Sequence, residues 1–160
     1  MADNVDAAYG KVCDVFGFST LNEYQKNTLK FVIEKKKDVF VNLPTRFGKS
    51  VIFQAFPLLY VCVEPSWEKK STVIVVSPVV SLVKDQVSLL LSLGISATSL
   101  NNETSEEDKR KVASGQYSIV YGSLESWLGD TRWRKILSSE TYENSVRVVA
   151  VDEAHVVCHL

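Results

Sequence analysis

The apolar, β-branched run Asp38-Val39-Phe40-Val41-Asn42 feeds directly into Leu43-Pro44-Thr45-Arg46-Phe47-Gly48-Lys49-Ser50, and a second apolar segment follows. This order constrains the fold more than any other stretch of the chain. It reads as strand, phosphate-binding loop and helix. In that layout successive backbone N–H groups and the positive end of a helix point at one spot, where negative charge is favoured. Lys49 supplies a point charge for the outer phosphates of a nucleotide, and the Ser50 hydroxyl is a hard oxygen ligand suited to Mg²⁺. The strict pattern, G-x-x-x-x-G-K-[ST], has glycine where Leu43 stands. The tripeptide alone is therefore also compatible with an ordinary helix start and a solvated lysine.

A second motif decides between them. Val148-Val149-Ala150-Val151-Asp152-Glu153-Ala154-His155 is four apolar residues followed by two acids. A buried strand that delivers adjacent carboxylates to a sheet end is unfavourable unless a cation or hydrogen bonds receive them. In an acidic arm of a nucleotide site, Asp152 holds Mg²⁺, and Glu153 orients and deprotonates the attacking water. Alone, a polar turn after a strand explains these residues better. Paired with a phosphate loop at the end of another strand, they read as an ATP site.

The rest of the chain supplies the frame. Strands are expected at 38–42, 72–77, 95–100, 117–121 and 146–151, separated by helical patterns. Val5 to Val15 carries a weak helical pattern, and Thr20-Leu21-Asn22-Glu23 has the form of a capping box ahead of a helix with Leu21, Tyr24, Thr28 and Val32 at helical spacing. Lys35, Lys36 and Lys37 suit that helix's last turn, where cations complement the dipole. Residues 50–62 read as a buried helix that Pro57 kinks or breaks. An amphipathic helix spans about Val80 to Leu93, with Ser81, Lys84, Asp85, Ser88 and Ser92 on its wet face and Gly94 as its stop. A charged helix runs from the cap at Thr104–Glu107 to Ser114, and Ser123–Leu137 is helical, with Trp127 and Trp133 as packing residues. Strands alternating with helices imply crossover connections, hence an α/β fold: a parallel sheet with helices on both faces. Ligands of such sheets bind outside the carboxyl ends of the strands, where Lys49 and Asp152 both fall.

A formal net charge of −1 leaves no global basic footprint, so nucleic-acid binding must rest on a local patch or on backbone donors. No apolar run approaches a membrane span, and Met1-Ala2-Asp3-Asn4 lacks the basic and apolar regions of a signal peptide. Cys13, Cys62 and Cys158 are odd in number and far apart, which argues against a disulfide framework and for a reducing interior, nucleus or cytosol. Asn102-Glu103-Thr104 is then an unglycosylated surface loop. His155 and His159 have metal-ligand spacing on a helix, with Cys158 nearby, but no fourth ligand is apparent for zinc.

These segments together resemble the first motor lobe of a RecQ-type DNA helicase, within the superfamily whose acidic motif reads DEAD or DEAH. Phe16-Gly17-Phe18 followed by Gln25 resembles the family's motif ahead of the phosphate loop, whose glutamine recognises adenine. Pro44-Thr45 through Ser50 resembles Pro-Thr-Gly-Gly-Gly-Lys-Ser. Ser77-Pro78-Val79-Val80-Ser81-Leu82-Val83-Lys84-Asp85-Gln86 is similar to Ser-Pro-Leu-Ile-Ser-Leu-Met-Lys-Asp-Gln, a segment of the DNA-binding face; RNA helicases of the DEAD type carry a different motif there. The resemblance covers residues 10 to 160.

The resemblance implies an incomplete RecA-like lobe over residues 1–160, cut off after the acidic motif, with the second lobe absent. It implies ATP and Mg²⁺ as cofactors. Gln25, Thr45, Arg46, Phe47, Gly48, Lys49 and Ser50 would bind the nucleotide, and Ser50 and Asp152 the metal. Lys49, Asp152 and Glu153 would be catalytic, and His155 would couple hydrolysis to movement. Ser77, Ser81 and Lys84 would contact DNA at a single-strand/duplex junction. The implied activity is ATP-dependent 3′-to-5′ unwinding in DNA repair or recombination, in the nucleus. Alternatives are an RNA helicase of the same superfamily and a catalytically dead binding module.

Arg46 and Phe47 stand where the family has two glycines, and Asn22 where it has arginine. Arginine at a position needing an unusual backbone angle costs on the order of 1 kcal/mol. The missing lobe would supply an arginine finger worth about 10³ or more in rate, so the chain alone is expected to unwind nothing.

Overall fold

The structure is a computed structural model that describes residues 2–44, 46–63 and 71–154. It divides into two compact units, Met1–Glu68 and Lys69–Leu160.

The first unit is helical among the described residues: α1 (Ala2–Phe16), α2 (Glu23–Lys35), α3 (Lys49–Gln54) and α4 (Phe56–Val63). Val5, Ala8, Tyr9 and Val12 recur at one-turn spacing on α1 and are buried, and α1 packs on α4, whose Phe56, Leu59 and Tyr60 are buried too. The Tyr9 hydroxyl donates to the Lys26 carbonyl at 3.0 Å and so ties α1 to α2. The capping box of α2 lies two residues beyond the expected place: Asn22 caps and Gln25 is its reciprocal partner. The buried stripe of α2 shifts with it. Gln25 and Leu29 are buried, whereas Tyr24 is 56% exposed. A glutamine can occupy the inner face because its amide is hydrogen-bonded there. Lys35 lies in the last turn, and Lys36 closes the helix in the left-handed conformation with its N–H on the Val32 carbonyl. The break expected from Pro57 falls at Ala55. Pro57 then occupies the first turn of α4, where its missing N–H leaves no intrahelical bond unmade.

The strand expected at 38–42 does not form. Residues 36–44 have no regular structure, and Phe40 is 83% exposed. A β-branched run becomes a strand only when a ladder satisfies its N–H and C=O groups, and none of the described residues of this unit offers one.

The second unit holds a four-stranded parallel sheet. Its strands are β1 (Thr72–Val76), β2 (Ala97–Leu100), β3 (Ile119–Gly122) and β4 (Val146–Val151), in the order β2-β3-β1-β4. The remaining helices are α5 (Val80–Ser92), α6 (Glu106–Ala113), α7 (Leu124–Leu128), α8 (Thr131–Leu137) and α9 (Glu140–Ser145). All five residues of β1 are buried, as a continuous apolar strand in the middle of a parallel sheet requires. On one face Ile74, Val76, Val120 and Leu100 pack with Val112, Trp127, Trp133 and Tyr142 into a single core. Trp127 and Trp133 are thus packing residues, edge to face at 6.0 Å. α5 packs on β2. The helix expected over Ser123–Leu137 is two helices, α7 capped by Ser123 and α8 capped by Asp130. The register aligns Val149 and Val151 of the edge strand β4 with Ile74 and Val76, on the face of that core, yet both valines are about half exposed.

Candidate nucleotide site

The loop ahead of α3 is shaped by two positive backbone angles. Arg46 has φ 69° and Gly48 φ 71°. The Phe47 N–H turns back to the Pro44 carbonyl at 3.4 Å, which closes a tight turn, and Gly48 then serves as the residue before the first turn of α3. Lys49 and Ser50 open that helix and are half-buried. Two side chains of α2 fasten this loop. Gln25 Nε2 donates to the Gly48 carbonyl at 3.1 Å, and Asn22 Nδ2 donates to the Phe47 carbonyl at 3.2 Å. The same two residues brace each other. Asn22 N–H donates to Gln25 Oε1 and Gln25 N–H to Asn22 Oδ1, both at 2.9 Å. Gly48 is glycine for steric reasons as well, since a Cβ there would overlap the Gln25 amide. Tyr24 meets Phe47 edge to face at 6.2 Å. Gln25, Phe47, Gly48 and Lys49 are therefore assembled into one local structure, and Arg46 lies exposed at its rim. Thr45 lies outside the described residues.

In the second unit the parallel strands end together. The Ser77 N–H donates to the Gly122 carbonyl at 3.0 Å, and the Asp152 N–H to the Val76 carbonyl at 2.9 Å, which carries the β4–β1 ladder one residue past β4. Asp152 is thereby fixed beside the end of β1. Glu153 takes φ 53°, and its N–H donates to Asp152 Oδ1 at 3.0 Å. The chain turns sharply there, so the two acids occupy a bend at the carboxyl end of the sheet, where the sequence puts them. Ser77 is buried, whereas Ser81 and Lys84 on α5 are exposed. Lys84 lies 3.9 Å from Glu103, with both side chains largely in solvent, a contact of small energetic weight. His155, Cys158 and His159 lie outside the described residues. Among the described residues no cluster of three or more His, Cys, Asp or Glu could hold a metal by itself.

The loop suits an anion. With every described peptide bond trans, the Phe47 and Gly48 carbonyls that face α2 leave the Gly48 and Lys49 N–H groups facing the opposite way. Adjacent N–H groups presented together beside a lysine form the cradle that a phosphate oxygen needs. Gln25 is expected at the site from its motif, whereas Asn22 stands in the sequence within the Thr20–Glu23 segment and in place of the family's arginine, with no role at the loop. The Asn-x-x-Gln spacing of a capping box was the signal available for it.

Residues 22–159 match the DEAD/DEAH box helicase family, to which this chain belongs. Its relatives are RecQ-type proteins. It is 31% identical over 150 residues to ATP-dependent DNA helicase Q5 of Rattus norvegicus, a match covering 89% of this chain and 14% of that protein. It is 30% identical over 146 residues to ATP-dependent DNA helicase RecQ of Bacillus subtilis (strain 168), covering 89% of this chain and 22% of that protein. It is 32% identical over 146 residues to ATP-dependent helicase wrn-1 of Caenorhabditis elegans, covering 90% and 13%. The chain thus spans between about an eighth and a quarter of the length of these relatives. The α/β parallel sheet agrees with a RecA-like helicase lobe. No helix among the described residues is long and apolar enough to cross a membrane.

Proposed function

We propose that this chain is the ATP-binding part of the first motor lobe of a RecQ-type, ATP-dependent DNA helicase. The observation that carries the reading is the fastening of the phosphate loop to the glutamine of the preceding motif, Gln25 to Gly48, directly before Lys49 and Ser50. Bound Mg²⁺ would offset charge on the outer phosphates, with Ser50 and Asp152 as its protein-side partners. Lys49 supplies a point charge to those phosphates, and the Gly48 and Lys49 N–H groups orient them. Gln25 retains one amide hydrogen and one lone pair beyond its internal bonds, enough to read an adenine edge. Glu153 holds and deprotonates the attacking water, and His155 relays the state of the site to the strand-separating movement.

Ser77, Ser81 and Lys84 form the DNA side, with a single-strand/duplex junction as substrate and 3′-to-5′ polarity. A role in DNA repair or recombination, in the nucleus, goes with that substrate. Closing of two lobes around ATP drives translocation, so the 160 residues alone bind ATP without separating strands. Calorimetric titration of MgATP into the chain and into Lys49→Ala tests the reading. Binding is expected in the first and not in the second, and equal behaviour of the two would refute it.

A further inference from the structure

We propose that Asn22 is a positioning residue of the phosphate loop, acting with Gln25 as a two-point clamp that presets the Gly48 and Lys49 N–H groups before any anion arrives. The inference rests on the nucleotide reading above for its consequence, though not for its geometry. Both carbonyls that the clamp holds, Phe47 and Gly48, are consecutive in the chain, and each receives a side-chain amide from a different turn position of α2. Two fixed points determine the orientation of both peptide planes, where one would leave a plane free to rotate. The fixing is needed here. The loop carries φ 69° at Arg46 and φ 71° at Gly48, and a left-handed glycine exchanges readily with other conformations.

The clamp is also braced from within. Asn22 uses its Oδ1 to cap α2 and its Nδ2 to hold the loop, so one planar amide couples the start of the helix to the loop. Gln25 uses Oε1 on the Asn22 N–H and Nε2 on Gly48 in the same way. The Tyr24–Phe47 ring contact holds the same loop residue by its side chain. Arginine, the residue of the resembled family at position 22, has no acceptor and cannot cap a helix while clamping. This chain therefore reaches a fixed loop by another route, one that accompanies the replacement of two loop glycines by Arg46 and Phe47.

Asn22→Ser separates the two duties of the residue. Serine caps helices as well as asparagine does, so α2 and the melting temperature are expected to stay as they are. Its short hydroxyl does not reach the Phe47 carbonyl. The ¹⁵N heteronuclear NOE and amide exchange of Gly48 and Lys49 are expected to move from helix-like to loop-like values in this variant. The Kd for MgATP and for inorganic tripolyphosphate is expected to rise about tenfold, as the loss of one fixed hydrogen bond implies. Gln25→Glu, which keeps the acceptor and loses the donor, should reproduce the loss of order at Lys49. Unchanged amide order at Gly48 and Lys49 in Asn22→Ser overturns the proposal, and so does lost order with unchanged affinity where the wild type binds MgATP more tightly than Lys49→Ala. Lost order in a protein whose wild type binds no more MgATP than Lys49→Ala leaves the clamp standing and removes the nucleotide reading instead.

Discussion

Arg46 offers the sharpest test of how the loop is built, because the sign of the effect decides the matter. Its φ of 69° lies in the left-handed region, at the third position of a turn closed by the Phe47 N–H on the Pro44 carbonyl, where type II turns take glycine. Arg46→Ala and Arg46→Gly both remove the guanidinium, so their difference isolates the backbone. At an ordinary position glycine is the less stable of the two by about 0.5–1 kcal/mol. At a left-handed position alanine bears about 1–2 kcal/mol of strain that glycine does not. Glycine gives back about 0.4–1 kcal/mol through the entropy of the unfolded chain. The net expectation is that Arg46→Gly is more stable than Arg46→Ala by about 0.5–1 kcal/mol. With a urea slope of about 2 kcal/mol/M, the unfolding midpoint should be higher by roughly 0.3–0.5 M. Circular dichroism of both variants in urea reads it directly. A midpoint for Arg46→Gly equal to or below that of Arg46→Ala would mean that the loop is not held left-handed, and the cradle built on that turn would fall with it.

Other expectations concern the second unit. A methyl at Gly122 would meet the Trp127 indole at 2.5 and 2.9 Å, a rigid ring locked against Trp133, so Gly122→Ala should lower stability by about 1–3 kcal/mol. Adding Trp127→Phe should recover part of that loss in a denaturant double-mutant cycle, and strict additivity would refute the clash. The buried Tyr142 hydroxyl donates to the Val112 carbonyl at 2.6 Å, and burial pushes its pKa upward. Since that carbonyl also accepts from the Gly115 N–H, Tyr142→Phe should cost only about 1 kcal/mol in urea unfolding. The Asp108 carboxyl is held below its usual range by hydrogen bonds from Tyr117 and then Ser105. A depressed folded value means that its contribution is present above the ordinary carboxylate value of about 3.9 and is lost as pH falls through the folded value. Tyr117→Phe should raise the Asp108 pKa in an NMR titration, and no change would refute the hydrogen bond's role.

The elements that sequence patterns located correctly are those whose signal is local and whose partners are near. Val80 to Ser92 forms a helix where the apolar spacing predicts one, and Ser105 and Ser123 start helices as capping residues do. Strands β1 and β4 follow from β-branched runs in a frame that pairs them. The run at 38–42 carries the same composition and stays irregular, because a strand is a property of a ladder and not of a sequence. On α2 the buried stripe departs from the apolar spacing for a related reason. Hydrophobic spacing selects Tyr24, yet the inner position belongs to Gln25, a polar residue that a pattern search assigns to water.

The site divides along the same line. Lys49, Ser50, Asp152 and Glu153 stand out in the sequence because their chemistry is carried by residue type at the end of an apolar run; the run before Asp152 is a strand, and the one before Lys49 is not. What was not legible is how the loop is held. Positions 22 and 25 differ from the loop by more than twenty residues, and the bonds that matter run from side-chain amides to the carbonyls of Phe47 and Gly48. A backbone acceptor leaves no mark in the sequence, since every residue carries one. Only the donor is visible, and an asparagine or glutamine before a helix is read first as a cap. Here it is a cap and something more. The geometry that satisfies the helix end also aims the second half of each amide at the loop, so one short segment fixes both the helix start and the direction in which the loop's N–H groups face.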